Sequence, residues 1–97
     1  MSATNAFADT GTGALSANGC NGRLIATSNH YALGHVDGAC WVTLQQTNVT
    51  NGGLLTLPWS LNNTQAEYYN DGIHYLRVCI EGMTSGQVAC GAWISGP

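Results

Sequence analysis

Apolar and polar residues alternate along this chain in short runs, broken roughly every eight to twelve residues by a turn signal. The runs are 23–28, 31–36, 39–46, 54–59, 73–80 and 87–94. The breaks are Asn18-Gly19, Asn21-Gly22, Asp37-Gly38, Asn51-Gly52-Gly53, Asn70-Asp71-Gly72 and the stretch 82–86. Period-two alternation rich in β-branched and aromatic residues predicts strands rather than helices. Only 61–69 has the spacing for a turn or two of helix, with Asn62 or Asn63 as N-cap and Glu67 inside. Pro58 belongs at a strand end or an edge. The pattern predicts an all-β fold: one small antiparallel sandwich or barrel of about six or seven short strands.

Asp37-Gly38 lies between two runs and reads as a two-residue type I′ hairpin. The last two runs read as a hairpin closed by 82–86. Symmetric pairing about that loop sets Ile80 opposite Ala89 and Cys79 opposite Cys90. It also places Leu76, Val78, Ile80 and Trp93 on one face, and Tyr75, Arg77, Cys79, Cys90 and Ile94 on the other. Residues 1–18, small and polar, read as a flexible arm before a single β domain over 19–97.

Directly opposed cross-strand cysteines are close enough to bridge, which favours Cys79 with Cys90 and leaves Cys20 with Cys40. Crossed pairings require the two hairpins to face each other in a sandwich. The cysteine gaps contain neither the close pairs of a zinc knuckle nor a C-x-x-C redox motif. Structural disulfides are the expected use of all four thiols, and no metal or other cofactor is called for.

Composition moves the picture outside the cell. Seven per cent of the residues are charged, there is no lysine, and the net charge is −3, whereas a typical domain is about a quarter charged. Ten Thr, nine Asn, six Ser and four Gln supply the polar surface instead. Two arginines form no basic stripe for nucleic acid, and no apolar run is long enough for a membrane span. Met1-Ser2-Ala3-Thr4 lacks the basic and apolar regions of a leader. The cysteines and missing lysine therefore favour a mature, exported chain over a cytosolic one.

The candidate chemistry is sparse. His30, His35 and Asp37 are the nearest approach to a metal or catalytic cluster, but their spacing fits no ligand pattern, and surface histidines flanking a hairpin are the favoured reading. Ser28 near His30 lacks a nucleophile elbow, and Glu67 with Glu81 would form an acid pair only by accident of fold. The aromatics say more. Trp41 and Trp93 stand close to cysteines and are expected in the core. Trp59, Tyr68 and Tyr69 adjoin loops rich in Asn and Thr, a setting that suits sugar rings or protein contacts. With Asn48 and Asn51 they form the candidate binding edge. Two glycosylation sequons, at Asn48 and Asn62, fall in expected loops.

The ending 75–79 and 89–93 resembles small secreted two-disulfide proteins of filamentous actinobacteria, over that hairpin alone and without a functional site. The cysteine spacings differ from those of cyanovirin-type lectins, neocarzinostatin-type carriers and tendamistat-type amylase inhibitors. The residues favour a secreted, non-enzymatic recognition domain that binds an extracellular protein or glycan, as an inhibitor, toxin or lectin-like protein. The alternatives are a self-assembling surface protein forming homo-oligomers through unguarded strand edges and a small hydrolase or metal-dependent enzyme.

Overall fold

The computed structural model describes residues 14–26, 31–67 and 72–95. Ten strands run through them: β1 Leu15–Ala17, β2 Cys20–Ala26, β3 Tyr31–Asp37, β4 Cys40–Asn48, β5 Gly53–Thr56, β6 Ser60–Leu61, β7 Asn63–Glu67, β8 His74–Gly82, β9 Val88–Cys90 and β10 Ile94–Ser95. One sheet has the order β1-β2-β3-β7. The other is built on the long β4–β8 pair, with β5 and β6 along the free side of β4 and β9 and β10 along that of β8. All these pairings are antiparallel. The described residues hold no helix long and apolar enough to cross a membrane.

Alternation builds the core. Leu15, Cys20, Leu24, Ala32 and Val36 from the first sheet meet Cys40, Val42, Leu44, Leu76, Val78, Ile80 and Ala89 from the second. The sheets approach closely at Gly34, where an added Cβ would lie 3.0 Å from Leu44. Cys20–Cys40 joins the two layers, and Cys79–Cys90 ties the three-residue β9 to β8. Cys79 and Cys90 are register partners, as hairpin symmetry requires, with Cα atoms 4.0 Å apart.

Several expectations are corrected. Asp37-Gly38 does not close a hairpin: β3 pairs with β2 and β7, while β4 begins the other sheet. The dipeptide is a corner passing over the Cys20 sulfur, against which a Cβ at Gly38 would lie 2.9 Å away. The two-residue hairpin is instead Asn18-Gly19, with φ of 57° and 75°, between β1 and β2. Of the expected arm, 15–17 form β1 and Leu15 is a core residue, while residues 1–13 lie outside the described part. The region 61–69 is strand as far as Glu67, not helix, since Thr64 and Ala66 alternate with exposed Asn63, Gln65 and Glu67 along β3.

The four-residue loops 49–52 and 83–86 share one design, Val-Thr-Asn-Gly and Met-Thr-Ser-Gly. In each, the final glycine has φ near +70° and donates its N–H to the carbonyl four residues back, Gly52 to Asn48 and Gly86 to Gly82, both at 2.8 Å. That left-handed backbone is the reason glycine ends both loops.

Both flanks of the β4–β8 pair are interrupted in the same way. Along β4 the register changes from Gln45↔Thr56 to Val42↔Ser60, which leaves one extra residue at Pro58-Trp59 opposite Thr43. Along β8 it changes from Cys79↔Cys90 to Leu76↔Ile94, with the extra residue at Ala92-Trp93 opposite Arg77. Each is a β-bulge. The second reverses the faces expected for the C-terminal run: Ile94 turns inward to the core, and Trp93 turns outward to Arg77.

Candidate functional site

The two outward sheet faces differ in chemistry. On the four-stranded sheet, Asn21, Arg23, His35, Asp37, Asn63, Gln65 and Glu67 make a mostly polar surface, interrupted by Ile25, Leu33 and Tyr31. On the six-stranded sheet, register gives four rows running across the strands. They are Val88–Glu81–Trp41–Leu61; Cys90–Cys79–Thr43 with the first bulge; the second bulge with Arg77–Gln45–Thr56; and Tyr75–Thr47–Leu54. Trp41 is 37% exposed, and Trp59 and Trp93 are each 36% exposed. The expectation that Trp41 and Trp93 lie in the core is thus overturned. Cys40 and Val42 point inward, so the residue between them must point out.

The third row is pinned by polar contacts. The guanidinium carbon of Arg77 lies 4.4 Å from the centre of the Trp93 ring. Arg77 Nε donates to Gln45 Oε1 at 2.9 Å, and Gln45 Nε2 donates to Thr56 Oγ1 at 3.2 Å. Partial burial pushes the Arg77 guanidinium below its ordinary value. In the neighbouring row Thr43 and Cys79 are fully buried yet stand outside the core cluster, so surrounding side chains close over them from the outward side. Thr43 Oγ1 donates to the Leu57 carbonyl at 2.6 Å, anchoring the first bulge.

The expected binding edge is only partly assembled. Trp59 is exposed at the first bulge, but Asn48 and Asn51 lie at the far end of β4 and serve their own loop. Asn48 Oδ1 accepts from Thr50 N and Oγ1 at 2.9 and 2.6 Å, and Asn51 Oδ1 accepts from Gly53 N at 2.7 Å. Tyr68 and Tyr69 lie outside the described residues, as does His30. The outward position of Trp41 and Arg77 was available from parity alone, because Val42 and Leu44, like Leu76 and Val78, mark the opposite face.

His35 sits between two oxygens. Its Nδ1 is 2.6 Å from Asn63 Oδ1 and its Nε2 is 2.9 Å from Asp37 Oδ1. Only the imidazolium can donate to both, so hydrogen bonding to Asn63 and then to Asp37 raises its pKa. In a Ser-His-Asp arrangement the acid holds Nδ1 and the nucleophile lies at Nε2; here Asn63 is at Nδ1 and Asp37 at Nε2. Among the described residues no three His, Cys, Asp or Glu side chains come together as a metal site.

A cleft of about 620 Å³ opens between β5 and β7, lined by Tyr31, Leu55, Leu57, Gln65 and Ala66 among others. Tyr31 and Glu67 on its wall adjoin the undescribed segments 27–30 and 68–71. Comparison with family models, curated proteins and solved structures found no match.

Proposed function

We propose that this chain is a secreted, non-enzymatic recognition domain whose binding surface is the outward face of the six-stranded sheet. One observation carries the reading: three tryptophans, each more than a third exposed, lie on or beside one face, while the opposite outward face is mostly polar. Exposed aromatic side chains anchored on a rigid sheet offer large contact area at low ordering cost. The two disulfides are consistent with an extracellular setting. A glycan array and a pull-down from culture medium test the reading, with Trp41→Ala and Trp93→Ala as probes and His35→Ala as the control on the opposite face. Each tryptophan variant should weaken the captured interaction at least about tenfold, the scale of a modest hot spot. Binding that survives both would assign the surface elsewhere.

A second reading, self-association, draws on β5, whose Leu54 and Leu55 are exposed on an edge strand. The bulges beside Trp59 and Trp93 oppose it by interrupting both outer flanks of that sheet. Light scattering across concentration decides it: a monomer throughout ends the second reading.

A further inference from the structure

Among the described residues, Arg77 is the one cation on the outward face of the six-stranded sheet. Its Nε is committed to Gln45 and its guanidinium carbon lies over Trp93, but among the described residues neither terminal nitrogen has an acceptor. The ion pair His35–Asp37 lies on the other sheet. Among the described residues, Glu81 is the only carboxylate on the Arg77 face, and it is four residues along the same strand, a separation of roughly 13 Å in extended backbone. The guanidinium is thus partly desolvated and held by Gln45 and Trp93, and among the described residues it has no counter-ion. Such a fork matches a carboxylate in both charge and geometry.

Around that fork the chemistry is neutral and flat. Trp93 borders it, with Tyr75 and Thr47 in the next row and Gln45 and Thr56 beside it. Indole faces pack against the C–H faces of sugar rings, and amides and hydroxyls exchange hydrogen bonds with sugar hydroxyls. The chain's net charge of −3 and absence of lysine provide no general attraction for anions. An acidic ligand would depend on Arg77 itself.

We infer, resting on the recognition reading above, that the ligand is a carboxylate-bearing saccharide, with Arg77 receiving the carboxylate and Trp93 the adjoining ring. Arg77 then acts as the specificity-determining residue, while the tryptophans supply contact common to acidic and neutral sugars.

Titration calorimetry on the full chain tests this with oligogalacturonate, hyaluronate oligomers and sialyllactose, each beside its carboxyl-reduced counterpart. At least one acidic probe should bind at least about tenfold more tightly than its reduced form, the value of a charge-assisted hydrogen bond. Arg77→Gln should abolish that preference, so that the acidic probe and its reduced form bind the variant with equal affinity. Arg77→Lys, which keeps the charge but loses the fork, should fall between. Arg23→Gln, on the other sheet, should change nothing. If the Arg77 variants do not fold, the acidic and reduced probes on the unaltered chain still decide. Equal affinity for both forms would overturn the assignment to Arg77 while leaving a sugar-binding face. Binding to none of the probes would overturn the saccharide inference, and the pull-down would then judge the recognition reading separately.

Discussion

Trp93 stands against Arg77, with the guanidinium carbon 4.4 Å from the ring centre, because one extra residue in the edge strand turns its side chain outward. Without the bulge, simple alternation from Cys90 would aim Trp93 into the core and Ile94 outward. A single inserted residue therefore moves an indole from the interior to the candidate binding face.

The two disulfides should contribute comparably. They close loops with sequence separations of 20 and 11, each worth about 3 kcal/mol in the chain-entropy picture. Replacing either pair by alanine should lower the melting temperature by on the order of 15 °C. Calorimetry reads the shift, and non-reducing mass spectrometry of the unaltered chain should find Cys20–Cys40 and Cys79–Cys90 with no free thiol.

Gly34→Val should be costly although the residue lies in a strand, where valine is otherwise favoured. Its Cβ would meet Leu44 at 3.0 Å and Thr64 Cγ2 at 3.2 Å, with the opposing sheet already packed. Overpacking of this kind costs about 1–3 kcal/mol. The denaturation midpoint measures it, and an unchanged midpoint would mean the sheets are less tightly apposed there.

Thr43→Val keeps the shape but removes the donor to the Leu57 carbonyl. The loss should be about 1–3 kcal/mol. It should also accelerate hydrogen exchange of the Leu57 amide, which donates to Leu44 beside the same bulge. Exchange as slow as in the unaltered chain would show that the bulge does not depend on Thr43.

His35 should titrate above the usual histidine value, because Asn63 and Asp37 both accept from its ring. The sign follows: a raised folded-state pKa adds stability that is complete below the unfolded value near about 6.5 and is lost as pH rises through the folded value. NMR titration of the ring protons measures this directly. Asn63→Ala and Asp37→Asn should each bring the value back toward that of an unperturbed histidine.

Local chemistry decided much of this fold. The alternation in 39–46 and 73–80 made these strands legible, and the register Cys79↔Cys90 followed from symmetry about the 82–86 loop. Glycine at the ends of both four-residue loops and the absence of helix periodicity were likewise local matters. These features depend on neighbours within a hairpin, where each residue's partner is set by counting.

Tertiary structure decided where the two sheets divide and where register shifts. Asp37-Gly38 has the residues of a hairpin turn, yet it becomes a corner because β2 and β7 take both sides of β3 and β8 takes one side of β4. The bulges at Pro58-Trp59 and Ala92-Trp93 arise where edge strands are fitted to a core already formed by β4 and β8. Parity in the sequence alone could place Trp41 and Arg77 on the outward side. Placing Trp93 beside Arg77 required the packed sheets, because a shift of one residue reverses every face that follows it.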